Sequence, residues 1–199
     1  YAFTQFESVS ARLAFPCFDE PSFKTPFDVW LTVAAEDVAL ANTRAVAEER
    51  AGEYKRIHFA PTKPLPTYLV AFAVGPLDVV ESEPLPPNEL RPQPVPLRGV
   101  APKGKGALLE PALATLVPVL RAFERYFGIA YPYDKLDIVA VPDFAAGAME
   151  NAGLVTFRDS LLLLDPNSAG EAQRRVSLFV IAHELAHQGF GDLVTIRFR

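Results

Sequence analysis

The sequence predicts an α+β chain in which an all-β region precedes a region that mixes helices with strands. Between residues 27 and 80, FDVWLTV, YKRIHFA and TYLVAFAVG alternate β-branched or aromatic residues with polar ones, and Asp, Asn, Gly and Pro separate these stretches. After residue 102 apolar residues recur every three or four positions, which is the period of a helix. We therefore predict two domains, a β-domain at 1–100 and an α/β domain at 101–199.

The segment 84–102, PLPPNELRPQPVPLRGVAP, carries seven prolines. Proline lacks the backbone N–H that a strand ladder needs, and it favours extended polyproline geometry. We predict that this segment is the crossing between the two domains. A proline-rich ligand for an SH3-type partner is the functional alternative.

The second region begins with a predicted amphipathic helix and ends with a longer one. A glycine, Gly128, is expected to end the first helix, and Pro118 lies within it. LDIVAVPDF and GLVTFRDSLLLLD read as strands, and residues 171–190 read as a helix. The apolar stripe of the first helix consists of Leu109, Leu113, Leu116, Val117, Leu120, Phe123 and Phe127.

Composition excludes some classes of function. The net charge is −5 and Lys and Arg form no basic run, so nucleic acid is not an expected partner. The single cysteine, Cys17, excludes an intrachain disulfide. The apolar stretches read as too short to span a membrane. A cytoplasmic location is the expectation, with export as the alternative because any targeting segment would lie before Tyr1.

HELAH, residues 183–187, is the strongest chemical signal in the chain. One turn of helix separates His183 from His187, so the two imidazoles project side by side and can bind one tetrahedral metal ion. Glu184 is then placed to take a proton from a metal-bound water. The alternative is a pair of core histidines that are hydrogen-bonded to neighbouring groups.

Other residues with metal-binding chemistry have simpler interpretations. His58 reads as a partly exposed strand residue. Cys17, Asp19 and Glu20 in FPCFDEP read as a buried thiol and a charged turn. Asp192 follows His187 by about one turn, but a tight turn at Gly189 and Gly191 is expected to redirect it.

GAMEN, residues 147–151, predicts a substrate-binding edge. Its glycine permits close backbone approach, and the flanking residues resemble an edge strand along which a peptide could pair. A buried carboxylate at Glu150 beside a metal would mark the position of a free α-ammonium, which is protonated at neutral pH. An ordinary Glu-Asn turn is the alternative.

GAMEN followed by HELAH resembles the zinc aminopeptidase family that combines these two motifs. TQFE at 4–7, FPCFDEP at 15–21, TYLVAFAVG at 67–75 and GLVTFRDSLLLLDP at 153–166 resemble the same family in the same order. The resemblance implies an incomplete N-terminal all-β domain followed by the first half of a thermolysin-like α/β catalytic domain. It also implies a zinc-dependent aminopeptidase that releases N-terminal amino acids from peptides.

The resemblance further implies a role for each motif residue. His183 and His187 would bind one Zn²⁺, Glu184 would be the general base, and Glu150 with Glu7 would bind the amino terminus of the substrate. Gln5 would neighbour the first substrate side chain, and Gly147 and Ala148 would make backbone contacts. Met149 and Asn151 complete the implied substrate-binding set.

The sequence departs from the family pattern at several positions. Ala152 and Gly189 stand where relatives usually carry tryptophan, and Phe198–Arg199 stands where a second aromatic is common, which leaves substrate preference open. The third zinc ligand of relatives, a glutamate roughly eighteen residues past the second histidine, would fall beyond Arg199. The tyrosine that stabilises the tetrahedral intermediate would also lie beyond it.

These departures predict a fragment of a longer protein, with doubtful zinc occupancy and little activity as 199 residues alone. An endopeptidase and a non-catalytic peptide-binding relative are the alternatives, although neither histidine nor Glu184 has been lost. The expected partners are peptides with a free amino terminus. The sequence does not predict an oligomeric state.

Overall fold

The computed structural model describes residues 1–194. Eleven strands, three α-helices and three short 3-10 helices lie in this range. The strands are β1 Ala2–Phe3, β2 Trp30–Ala34, β3 Val38–Ala41, β4 Ala45–Ala51, β5 Tyr54–Phe59, β6 Phe72–Gly75, β7 Leu77–Glu81, β8 Leu97–Pro102, β9 Leu136–Val141, β10 Ala148–Met149 and β11 Leu154–Arg158. The helices are α1 Glu110–Phe127, α2 Asp159–Leu162 and α3 Glu171–His187, and the 3-10 helices are Ala11–Leu13, Thr67–Leu69 and Gly106–Leu109.

Three sheets organise the described residues. Two are antiparallel and three-stranded, in the orders β1-β6-β3 and β2-β5-β4. The third has the order β10-β11-β9-β8-β7, and β9 pairs in parallel with both β8 and β11. All six residues of β9 are buried, as a central parallel strand requires. The α+β class is therefore confirmed, and β10 lies at an edge of the five-stranded sheet.

The proline-rich segment is more ordered than its composition predicts. Leu85 and Val95 are buried and exchange two backbone hydrogen bonds, of 2.9 and 3.0 Å. Leu97–Pro102 then forms β8, between β7 and β9. Leu85 and Val95 can pair because the prolines fall beside them and leave their N–H groups free to bond, and the role of the segment as a crossing between domains stays a prediction. The division at residue 100 stays a prediction, and the five-stranded sheet takes strands from both sides of it.

α1 forms as its apolar stripe predicts. Leu113, Leu116 and Leu120 are buried in the core between this helix and the five-stranded sheet. Gly128 ends the helix in the left-handed conformation, with φ of 66°, and its N–H donates to the Glu124 carbonyl at 3.0 Å. Pro118 lies inside the helix.

Within residues 1–194, one helical stretch, Gly106–Phe127, is long and apolar enough to cross a bilayer by length and composition. This is weak evidence for a membrane span, because a helix that packs on a protein core passes the same test. Several of its leucines lie in such a core.

α3 carries the HELAH motif and buries only one stripe. Ile181 and Leu185 are buried and belong to the core that contains α1. Leu178 of α3 and Phe190 of the turn after it are 42% and 46% exposed. The helix ends at His187, three residues before its predicted end, because a turn begins at Gln188.

The residues that were interpreted as structural have structural roles. His58 is a partly exposed residue of β5, as expected; its ring stacks on Trp30 at 3.9 Å, and its Nε2 lies 2.6 Å from an Asp28 oxygen. Asp19 is buried and accepts a hydrogen bond from the Thr67 hydroxyl at 2.5 Å. Cys17 is half-buried rather than fully buried.

Candidate active site

The two histidines of α3 converge on one point. Their Nε2 atoms lie 3.1 Å apart, and the ring planes are nearly perpendicular at 82°. Two ligands of one tetrahedral zinc are expected about 3.3 Å apart for zinc–nitrogen bonds of about 2.05 Å. The spacing therefore fits a pair of nitrogens that share one divalent ion.

Contacts around His187 determine that its Nε2, and not its Nδ1, faces His183. The Nδ1 atom lies 3.2 Å from the Phe190 carbonyl oxygen, which can only accept a hydrogen bond, so Nδ1 carries the proton and Nε2 keeps its lone pair. Gly191 lies against the same ring: a Cβ there would come within 2.9 Å of Nδ1. Its φ of 151° also favours glycine.

Among the residues that the structure describes, the converging pair of His183 and His187 has no third side chain of metal-binding type beside it. Within residues 1–194, no group of three or more His, Cys, Asp and Glu side chains could hold a metal ion. Asp192 is buried and its Oδ2 accepts a hydrogen bond from Gln188 at 2.9 Å, as expected if it does not face the histidines. The predicted third ligand and Phe198–Arg199 lie outside the described residues.

Glu184 is buried although its neighbour His183 is exposed. Burial, and to a smaller extent the nearby carboxylates of Glu150 and Glu7, together raise the pKa of the Glu184 carboxyl to about 8. Glu150 and Glu7 therefore both lie close enough to Glu184 to disfavour its charged form. Such a cluster is suited to binding positive charge.

GAMEN forms the predicted edge strand and the turn after it. In β10, Ala148 and Met149 pair antiparallel with Phe157 and Thr156 of β11. Met149 is fully buried, while Gly147 and Ala148 are partly exposed. A Cβ at Gly147 would make only an ordinary contact, 3.6 Å from Leu161, so the described interior leaves room for a side chain at this position.

The turn that follows β10 is held by buried side chains from three distant segments. Gln188 donates to the Glu150 carbonyl at 2.8 Å, Asn42 to the Ala152 carbonyl at 2.9 Å, and Lys135 to the Gly153 carbonyl at 2.7 Å. Gly153 has φ of 69°, and a Cβ there would meet the Asn42 carbonyl oxygen at 2.6 Å. The turn is therefore not an ordinary exposed Glu-Asn turn, since Glu150 and Asn151 are both buried.

The N-terminal segment lies against this turn. Gln5 donates from Nε2 to the Met149 sulfur at 3.3 Å, and its buried Oε1 has no hydrogen-bond partner among the described residues. Glu7 is exposed but lies close enough to raise the pKa of Glu184. The structure thus brings together residues that are more than 140 positions apart in the chain.

Sequence reasoning missed Gln188, Asn42 and Lys135. Gln188 directly follows the second histidine, so its position beside the motif could have drawn attention to it. Asn42 and Lys135 carry no local signal, because their partners in the turn are 110 and 18 residues away.

An HExxH helix with a buried glutamate, set beside an edge strand, is the site of the metallopeptidase class. Residues 1–69 match the peptidase M1 N-terminal domain, and residues 112–198 match the peptidase family M1 domain. The chain belongs to peptidase family M1.

Relatives match along almost the whole chain. Aminopeptidase M1-A of Oryza sativa subsp. japonica is 46% identical over 197 residues, which are 99% of this chain and 22% of the relative. Puromycin-sensitive aminopeptidase of Caenorhabditis elegans is 42% identical over 199 residues, or 99% of this chain and 20% of the relative. Aminopeptidase 2 of Candida albicans is 43% identical over 198 residues, or 99% and 21%. The chain therefore spans about a fifth of the length of these relatives.

Proposed function

We propose that this chain is part of a zinc-dependent aminopeptidase that releases N-terminal amino acids from peptides. The observation that carries the proposal is the cluster of three carboxylates, Glu7, Glu150 and Glu184, beside the converging nitrogens of His183 and His187. A metal ion and the α-ammonium of a peptide would each bring positive charge to this cluster and relieve its repulsion. Relatives that are named aminopeptidases support the same activity.

His183 and His187 would hold the zinc through their Nε2 atoms. When bound, zinc would lower the pKa of a water molecule and polarise the scissile carbonyl. A catalytic zinc takes three protein ligands, and residues 1–194 offer only these two in one cluster. We therefore infer that the third ligand comes from outside these residues, and that the 199 residues alone turn over little or no substrate.

Glu184 would act as the general base. Its carboxylate would accept the proton of the attacking water and pass it to the leaving amine. Burial supports this role, because a glutamate whose charged form is disfavoured by its surroundings is a stronger base than an exposed one once it is ionised. Its place next to His183 in the helix keeps it within one turn of both metal-binding residues.

The substrate would lie along β10 with its amino terminus at the carboxylates. Glu150 and Glu7 would bind the α-ammonium, and the buried Oε1 of Gln5 offers another acceptor beside them. Gly147 and Ala148 would pair with the peptide backbone by strand addition. Met149 and Asn151 are buried and would support the edge from beneath.

The test uses the full-length protein and a pair of peptides that differ only in acetylation of the amino terminus. We expect stepwise release of single residues from the free peptide, resistance of the acetylated peptide, and loss of activity after chelation with recovery on adding Zn²⁺. Equal cleavage of both peptides would favour the endopeptidase alternative, and undiminished activity after complete metal removal would exclude the zinc proposal.

A parallel assay of the 199-residue chain tests the incomplete site. Turnover of an aminoacyl-anilide at the full-length rate, with one zinc bound, would show that no ligand from elsewhere is needed. We expect weak zinc binding and little turnover instead.

A further inference from the structure

Gln188 is a buried amide at the end of the HELAH helix, and every hydrogen-bonding position of its side chain is used. Its Nε2 donates to the Glu150 carbonyl at 2.8 Å and to Asp192 Oδ2 at 2.9 Å. Its Oε1 accepts from the Gly153 N–H at 3.0 Å, and it lies 3.4 Å from the Tyr131 hydroxyl, whose single proton is shared with the nearer Lys135 carbonyl at 3.0 Å. The residue is 1% exposed.

The backbone partners determine which way the amide points. The Glu150 carbonyl can only accept a hydrogen bond, and the Gly153 N–H can only donate one. A flipped amide would place NH₂ against N–H and oxygen against oxygen, so the observed orientation satisfies both ends of the turn. One side chain at the C-terminal end of α3, that of the residue after His187, thus bridges the start and the end of the segment 150–153.

The other two side chains that bind carbonyls of this segment, Asn42 and Lys135, do not contact α3 through their hydrogen bonds. Asn42 follows β3, and its other bonds go to the backbone of Leu69 and Ala71. Lys135 precedes β9 and also binds Asp137 at 2.9 Å. These two residues bind the turn to the sheets. Gln188, the residue after His187, binds it to the end of α3 instead.

We propose that Gln188 is a positioning residue that sets the location of Glu150 relative to the two histidines, and thereby the affinity of the enzyme for a free amino terminus. The inference rests on the proposed function. If the amide is removed, Asn42 and Lys135 keep the turn folded, but two buried backbone groups lose their partners and the turn can shift relative to α3. A displacement of about 1 Å is enough to weaken a positioned contact strongly.

The experiment replaces Gln188 in the full-length protein by methionine, which has a similar length and no amide. KM for an aminoacyl-anilide with a free amino group should rise about tenfold, while kcat changes less than about threefold and zinc content stays at the wild-type value. Gln188→Asn, which keeps the amide but is one methylene shorter, should move KM in the same direction, and it replaces the methionine variant if that does not fold.

Glu124→Gln is the matched control. Glu124 is also buried and also binds a backbone N–H, that of Tyr131 at 3.0 Å, but its bonds do not reach the turn or α3. We expect it to lower thermal stability without changing KM. An equal rise of KM in the control, or a Gln188→Met enzyme with KM within about twofold of wild type, would overturn the positioning role.

The same assays separate this inference from the proposed function. If the wild-type enzyme cleaves the N-acetylated substrate as well as the free one, the aminopeptidase proposal itself fails. If the wild type discriminates and the Gln188 variants discriminate equally well, only the positioning role is lost.

Discussion

The turn after β10 and the outer face of α3 lie side by side but are built in opposite ways. In the turn, Glu150, Asn151 and Ala152 are buried, and side chains from three parts of the chain bind its carbonyls. On α3, Phe179 is 72% exposed and His183 is exposed. The proposed amine-binding half of the site is therefore fixed within the described residues, whereas the metal-binding half has an open flank.

The largest effect is expected at the one residue of α3 that combines burial with chemistry. Glu184→Gln in the full-length protein should lower kcat by about 10²–10⁴, because the amide cannot accept the proton of the attacking water. Zinc content, measured by elemental analysis, should not change. Glu171→Gln, at the exposed start of the same helix, is the control and should retain wild-type kcat. An active Glu184→Gln enzyme would remove the general-base assignment.

A smaller effect is expected at the turn itself. Glu150→Gln keeps the shape of the side chain but removes the charge that would bind the α-ammonium. KM for a free-amine anilide should rise about 10- to 100-fold, with a smaller change in kcat, as loss of one charged hydrogen bond predicts. Steady-state kinetics beside Glu89→Gln, an exposed glutamate of the 88–91 loop, provide the comparison. Unchanged KM would mean that Glu150 does not contact the amine.

Backbone geometry predicts a stability effect in the same turn. Gly153→Ala combines a left-handed φ of 69° with a Cβ that would lie 2.6 Å from the Asn42 carbonyl oxygen, so it should cost about 1–3 kcal/mol. Gly170→Ala is the control, because a Cβ there meets nothing within 4 Å and its φ is −70°. Thermal unfolding of the full-length variants measures the difference. Equal melting temperatures would show that the turn can relax at little cost.

The smallest effect concerns how stability depends on pH at Asp137, the carboxylate that binds Lys135. Burial raises the pKa of the Asp137 carboxyl, but Lys135 and Arg98 more than offset it and the net pKa is lowered. The charged carboxylate therefore stabilises the folded state above its ordinary pKa of about 3.9, and this contribution is lost as pH falls through the lower folded-state value.

Between pH 5 and pH 3, wild-type stability should accordingly fall more steeply than that of Asp137→Asn. Denaturant titrations at each pH measure this slope. Parallel slopes for the two proteins would contradict the assignment to Asp137.

The parts of the fold that sequence predicts are those whose signal is local. The helix α1 with buried Leu113, Leu116 and Leu120, the Gly128 cap and the strand β9 follow from local pattern and turn chemistry, and the structure confirms them, although Phe127 of the predicted stripe is exposed. In the proline-rich segment, composition does not predict that Leu85 and Val95 pair with each other. That pairing depends on tertiary structure.

The same distinction holds at the site. The histidine pair and the β10 edge are encoded in two short motifs, and the structure has the two imidazoles adjacent and the edge strand in place. The buried hydrogen bonds to the turn come from Asn42, Lys135 and Gln188, and nothing local to the first two residues identifies their partner. The roles of the motif residues in binding metal and substrate stay predictions.

The position of β10 at a sheet edge has a consequence for selectivity. Backbone groups are the same in every amino acid, so a peptide held along such an edge is recognised by its main chain whatever side chains it carries. An enzyme built this way would act on a broad range of sequences and would select the amino-terminal residue by its position. Discrimination between residue types would have to come from the protein residues that surround the first substrate side chain.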